Sequence, residues 1–339
     1  MALSNNPYVS KVMTNFVAER MQSYGEDGFI AGKLLPFVGV NGPTGTFYTR
    51  NRWFAKDLPT NYVVRGSKSP TAKLPDWSST TDTYSVHDEA LESELPFKDI
   101  DSTEPDGILT SRKDEVDRVR ESLLQYHEVQ ARSLLVSTLT GNSLRTGVAS
   151  SPGANEFVQW DDTTDGTPLQ DLEGWCTYLL KTSGKAPNFI VVPRQVAAKL
   201  KFLANITQPT YQAVYNVMDR EKYKLFFNLQ YVLIPEAVHD TDPLGDATPT
   251  FDFIWGNEII LGYLPERPSR RTRAFGYTFV QTDLEGGGIS ESNPYRVRSW
   301  KDETIGRGAY IDVVETVLDR KIVDSSLYMR IASPLASVS

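Results

Sequence analysis

His127 and Glu128 begin the pattern His-Glu-x-x-His. In that pattern two imidazoles one helical turn apart hold zinc and the glutamate serves as base. Here the second histidine position is Ala131, so the pattern lacks a ligand. Asp161, Thr163, Asp165 and Gly166 match positions 1, 3, 5 and 6 of a calcium loop, but position 12, which needs a bidentate glutamate, is Leu172. The alternative is a solvated loop running into a helix at Pro168. Gly286-Gly287-Gly288 is followed by Ile289-Ser290-Glu291, not by the lysine and helix of a phosphate cradle, and reads as a flexible hairpin loop. There is no Gly-x-Ser-x-Gly elbow. Cys176 is the single cysteine, too few for an internal disulfide or a zinc cluster. His87, His127, His239 and Cys176 form no nucleophile–base pair visible in the sequence. The expectation is a chain that is not an enzyme, with no catalytic, metal or cofactor-binding residues and no cofactor.

Charge is distributed more tellingly than chemistry. Net charge is −8 over 339 residues, which argues against a general nucleic-acid binder, since that role needs a basic surface. Yet Arg50 to Trp77 holds six Lys or Arg (Arg50, Arg52, Lys56, Arg65, Lys68, Lys73) and two Asp. Residues 82–106 hold nine Asp or Glu, among them Asp88, Glu89, Glu92 and Glu94, and one Lys. Arg267, Arg270, Arg271 and Arg273 form a basic run, read either as a solvated turn or as a patch touching nucleic acid or an acidic neighbour.

The elements that would carry these charges follow from periodicity. Val9, Val12, Met13, Phe16, Val17 and Met21 mark a helical face. Phe29 to Val40 alternates loosely with no obvious partner, and reads either as an arm with one apolar side or as a segment packed on its own domain. Strands are expected at Thr46–Thr49 and Thr81–Val86, with Arg50–Trp77 between them showing no clean period. Structureless loops longer than about 15 residues are uncommon in compact domains unless functional. Ser111 can cap a long helix over 111–140, with Val116, Val119, Leu123, Leu124, Ala131, Leu135 and Leu139 at helical spacing and Gly141-Asn142 as its stop. Residues 168–264 read as an α/β unit: a helix marked by Leu169 to Leu180 and ending at Ser183-Gly184, helices at 196–203 and 215–226, and strands at Phe189–Val192, Tyr231–Ile234 and Ile259–Leu261. Residues 274–333 read as β-rich. The N-terminal stretch lacks the basic start and apolar run of a signal peptide, and no run of 18 apolar residues suggests a membrane span.

"DFIWGNEIILGYLPERPSRRTRAFGYTF", residues 252–279, resembles the signature region of tailed-bacteriophage major capsid proteins of the Hong Kong 97 fold. "DTYSVHDEALESELP" (82–96), "GKAPNFIVVPRQVAAKL" (184–200) and "YIDVVETVLDRKIVDSSLYMRI" (310–331) are similar to other stretches of that group, in its order. The resemblance implies an α+β Hong Kong 97 (HK-97) type capsid fold. Its parts would be an N-terminal arm at 1–45, an extended loop at 46–86, a peripheral domain at 87–167 with the spine helix 111–140, an axial α/β domain at 168–265, and a β-rich second part of the peripheral domain at 266–339. The peripheral sheet would draw on 84–100 and 266–333.

The implied function is structural: self-assembly, as hexamers and pentamers, into an icosahedral shell around double-stranded DNA, in a virion assembled in the host cytoplasm. Portal, scaffolding or decoration proteins are the implied partners; DNA would be held without sequence specificity, and no membrane is involved. The alternatives are an encapsulin-like compartment shell and an α/β enzyme with a scattered site. On the shell reading Arg50, Arg52, Trp53, Lys56, Arg65, Lys68 and Lys73 of the extended loop contact a neighbouring subunit. Asp88, Glu89, Glu92 and Glu94 are the candidate acidic partner, because opposite charges across an interface steer association and fix register. One branch of the group has a long cleaved N-terminal segment; here the arm begins almost at Met1, which implies a separate scaffold or none. Some members join a loop lysine to an asparagine. Lys56, Lys68, Lys73 and Asn293 supply the residue types, but an exposed lysine is charged at neutral pH, so a non-covalent shell is expected.

Overall fold

The computed structural model describes residues 8–22, 28–50, 79–100, 107–162, 164–200, 224, 227–241, 250–269, 272–285, 287–304 and 308–336. Two six-stranded sheets share one long helix. The strands of the first are β1 (Tyr8–Val9), β2 (Phe37–Val40), β5 (His87–Pro96), β13 (Gly276–Gln281), β14 (Arg296–Asp302) and β15 (Ala309–Ile322). Their order is β1-β14-β15-β13-β2, with β5 on the free side of β15. The strands of the second are β6 (Leu144–Val148), β7 (Glu156–Val158), β8 (Phe189–Val191), β9 (Tyr231–Leu233), β12 (Glu258–Gly262) and β16 (Tyr328–Ala332), in the order β7-β6-β16-β12-β8-β9. Two separate hairpins are β3 (Thr44–Arg50) with β4 (Ser79–Ser85), and β10 (Val238–Asp240) with β11 (Phe251–Phe253).

The helices are α1 (Lys11–Gln22), α2 (Ala31–Leu34), α3 (Gly107–Thr138), α4 (Pro168–Ser183) and α5 (Arg194–Leu200). The sequence predicts α4 closely. Proline fits its first turn, and Gly184 closes it at φ 71°, donating its amide to the Leu180 carbonyl, as left-handed caps do. Helix α3 differs from expectation. It begins four residues before Ser111, which therefore lies inside it rather than at its cap. The apolar rhythm does not reveal this start because Ile108 and Leu109 are exposed; the early turns are tied instead by Arg112, which grips Asp312 of β15 with two hydrogen bonds. The helix also stops at Thr138 rather than 140. Its 32 residues span roughly 48 Å at 1.5 Å per residue.

Alternation along the strands explains how both faces of the second sheet are covered. Phe189, Val191, Ile260 and Tyr328 enter the core under α3, together with Val116, Leu123, Leu124, Ala131 and Leu135. The intervening Ile190, Ile259, Leu261, Met329 and Ile331 enter a second core under α4 and α5, with Leu172, Leu179, Val196 and Leu200. Successive strand side chains point to opposite faces, so near-continuous apolar runs are what a doubly covered sheet requires.

One open reading is decided and one expectation changes. The segment 29–40 has its partners within the chain: Phe29, Ile30, Ala31, Leu34 and Leu35 are buried in the α3 core, and β2 runs parallel to β13 with Phe279 opposite Val38. The signal is missed because the pairing spans some 240 residues. The last strand, β16, was expected with the peripheral sheet but pairs with β12 and β6 in the second sheet. The chain changes sheets at the turn Ser325–Leu327, where the Asp324 carboxylate accepts the Ser326 amide. The expected helix at 215–226 lies outside the described residues, apart from Lys224.

Candidate assembly interface

Strands β3 and β4 form a hairpin, paired from Thr44 opposite Ser85 to Arg50 opposite Ser79. Its base is fixed by aromatic packing. Phe47 and Tyr84 are buried, and their rings lie 5.2 and 4.8 Å from that of Phe279 on β13. The Ser85 amide donates to Asp319 at 2.8 Å, and the Val86 amide to the Pro43 carbonyl. Gly45, opposite Tyr84, is required: a Cβ there would meet the Tyr84 hydroxyl at 2.4 Å. Arg50 ends the described part of β3. Arg52, Trp53, Lys56, Arg65, Lys68 and Lys73 lie outside the described residues.

Strand β5 carries the acidic set, and its register splits it. It pairs antiparallel with β15 from His87 opposite Leu318 to Pro96 opposite Ala309. Odd-numbered residues face α3: Ser93 Oγ donates to Glu115 of that helix, and Glu89 accepts both Arg320 guanidinium nitrogens at 2.7 and 2.9 Å. Asp88, Ala90, Glu92 and Glu94 form the outer pleat and are exposed. Glu89 is thus already spoken for inside the chain, while Asp88, Glu92 and Glu94 share one open face. Leu91 is also exposed, on the α3 side.

Several other residues singled out in the sequence are bonded within the chain. Arg320 also donates its Nε to His127 Nδ1 at 2.9 Å. His127 is fully buried and stacks on Phe37 at 5.4 Å. Burial first, and the Arg320 charge second, hold it well below the usual histidine range, so it is neutral. Glu128 is buried as well. Its carboxylate accepts the amides of Ile30 and Ala31 and the indole N–H of Trp255, and burial pushes it up to about 7 against the pull of those donors. A legible signal existed for it: position 128 falls on the face of Leu124, Ala131 and Leu135.

Asp161 accepts the Ala336 amide, and Asp162 those of Thr164 and Asp165, so backbone donors occupy these carboxylates. Among the described residues no group of three or more His, Cys, Asp or Glu could hold a metal. Arg273, read as part of a basic run, is buried and bonded to Asp324 and the Ser183 carbonyl. Asn293 is 8 % exposed, and its backbone N–H donates to Ser290 Oγ. Burial pushes the Cys176 thiol up to about 11, away from thiolate chemistry. No helix among the described residues is long and apolar enough to cross a membrane.

No protein-family model matches the sequence. No curated protein matches it either. Solved structures do. A phage-related protein of Bordetella bronchiseptica superposes with a TM-score of 0.71 at 18 % identity, over 98 % of this chain and 100 % of that one. The capsid of the native GTA particle superposes with a TM-score of 0.51 at 10 % identity, over 98 % and 95 %. At such identities the likeness is one of fold. The chain has the α+β fold of Hong Kong 97 type capsid proteins.

Proposed function

We propose that this chain is the structural shell subunit of a tailed bacteriophage, a major capsid protein that assembles with copies of itself into an icosahedral particle around double-stranded DNA. The observation that carries the reading is the hairpin β3–β4. It is rooted in the core by Phe47 and Tyr84, and the 28 residues between its strands, 51–78, hold five Lys or Arg against two Asp, within a fold seen in capsids. A segment that cannot offset its ordering entropy at home can do so against a neighbour.

In this reading 46–86 is the extended loop, the first sheet with α3 is the peripheral domain, and the second sheet, with β6, β7 and β16 added to 168–265, is the axial domain. The loop cations Arg50, Arg52, Lys56, Arg65, Lys68 and Lys73, with Trp53, meet the outer pleat of β5 on an adjacent subunit. Asp88, Glu92 and Glu94 are the counter-charges; Glu89 acts inside the subunit. Hexamers and pentamers form in the host cytoplasm, with portal and scaffolding or decoration proteins as further partners. Contacts are non-covalent, which the inward-turned Asn293 favours.

Negative-stain microscopy and light scattering of the expressed chain test this. Closed shells or capsomers are expected. A monodisperse monomer at high concentration, with and without a scaffolding partner, overturns it. Shells loaded with a protein cargo in place of DNA would point to a storage compartment. Boiled particles should run as single chains; a reductant-resistant ladder would reveal covalent links.

A further inference from the structure

Four arginines are buried among the described residues: Arg120, Arg145, Arg273 and Arg296. Three of them pair with a carboxylate, that of Asp117, Asp324 and Glu315 in turn. Arg145, on β6, makes no ion pair with the described residues. Its Nη1 donates to the carbonyls of Asn142 and Leu144 at 3.1 and 2.8 Å and to Asn155 Oδ1 at 2.9 Å. Its guanidinium lies 5.0 Å from the centre of the Tyr178 ring on α4. All these partners are neutral. Nε and Nη2, the other edge of the fork, make no hydrogen bond with the described residues and are not sealed from solvent.

Arg112 shows what that edge can do. Its guanidinium lies 4.8 Å from the centre of the Tyr310 ring, and its Nε and Nη2 each donate to one oxygen of Asp312. Arg145 has the same aromatic support and the same pair of donors, but no carboxylate of its own chain on them among the described residues. A planar fork of two parallel N–H groups matches the two oxygens of a carboxylate. A buried cation without a counter-charge is costly, and neutral acceptors offset that cost only in part. Because three oxygens hold Nη1, the fork is fixed before anything binds, which lowers the cost of binding.

We propose that Arg145 is a socket for an Asp or Glu side chain of a second copy of this chain, bound side-on through Nε and Nη2. The source of the carboxylate rests on the shell reading. Two observations favour a copy over DNA. The residue is 9 % exposed, so it is reached by one slender side chain, whereas a duplex backbone is gripped by cations that project from a basic surface. The chain also holds 43 Asp or Glu against 35 Lys or Arg, so acids are the commoner charge on a neighbouring copy. The socket lies one strand in from the edge of the second sheet, where β7 is the last strand among the described residues.

Arg145→Gln keeps N–H donors for the nearby carbonyls and removes the charge. In the unassembled chain it should leave the melting temperature unchanged or raise it, because an unpaired buried charge is gone. Its shells should need a roughly tenfold higher concentration to form, read by light scattering. A subunit destabilised in step with its shells would make Arg145 a strut of the 141–155 turn and overturn the proposal. Shells that form as in wild type, or a loss confined to duplex DNA binding, overturn it too. The wild-type chain gives a second reading that needs neither variant nor shells: the NMR signal of Arg145 Nε–H, titrated with acetate at constant ionic strength. A saturating shift not shared by exposed arginines is expected; its absence overturns the socket. A chain that shows the shift yet never assembles overturns the shell reading instead, and with it the second copy as the source.

Discussion

Asp88 and Glu89 are consecutive, yet one stands in water and the other is clamped by Arg320 at 2.7 Å. The strand pleat alone separates them. On the outer pleat, Asp88, Glu92 and Glu94 are exposed and make no ion pair among the described residues; on the inner pleat, Glu89 joins Arg320 and His127 in a buried network. The two faces of one acidic strand divide the work. Charges in the network hold the fold, where removing one partner strands another in a low-dielectric interior. Charges on the outer face are screened and contribute little to stability, which leaves them free for recognition between copies.

The sharpest way to break this contrast is to delete a buried partner. Arg320→Ala should destabilise the subunit by about 3–5 kcal/mol, because it leaves Glu89 and His127 Nδ1 without their donor. Denaturant unfolding measures it; a loss below about 1 kcal/mol would mean that the inner pleat behaves like the outer one. Next in size is Gly45→Val. The added side chain collides with Tyr84, packed on Phe279, and overpacking of this kind costs about 1–3 kcal/mol. The subunit should fold with a displaced hairpin and assemble poorly, read by thermal melting and by particle yield in microscopy.

The two pleats also show where the sequence was readable. The apolar runs Phe189–Val191 and Glu258–Gly262 are visible beforehand, because their local patterns are enforced by local geometry; the strand His87–Pro96 is not, since its own residues read as an acidic stretch and only the resemblance placed 84–100 in a sheet. The start of α3 was hidden because its first turns are held by a long-range ion pair, Arg112 to Asp312, rather than by apolar spacing. The partner of Phe37–Val40 and the sheet change at β16 are equally non-local. The charge on β5 was plain in the sequence; which of its four acids faced inward was not, since that depends on the register with β15 and on Arg320 arriving from 231 residues away.

A smaller effect, on α3 behind the inner pleat, depends on pH. His127 is neutral in the folded chain and titrates lower there than unfolded, so unfolding binds protons below pH 6.5 and stability falls as the pH drops through that range. In wild type, Glu128 opposes this between 4.5 and 6.5, because it gains a proton on folding. Melting temperatures of Glu128→Gln should therefore fall more steeply from pH 6.5 to 4.5 than those of wild type. Parallel curves would show that the two groups are not opposed.

The smallest effect on the subunit, and the most selective for assembly, belongs to Asp88→Ser, Glu92→Ser and Glu94→Ser combined. Each is an exposed substitution on the outer pleat, worth within about 0.5 kcal/mol of fold stability. Melting should barely move, whereas Glu89→Ser, one residue away, should destabilise like a core change. If the basic loop of a neighbour reads this face, the triple variant assembles more slowly at low salt. The difference from wild type then shrinks as salt is raised, because the Debye length falls from about 10 Å at 0.1 M to about 3 Å at 1 M. Stopped-flow light scattering at several salt concentrations measures this. Identical rates at low salt would mean that the exposed acids keep the edge strand soluble, as charges on sheet edges do, and that the loop finds its counter-charge elsewhere.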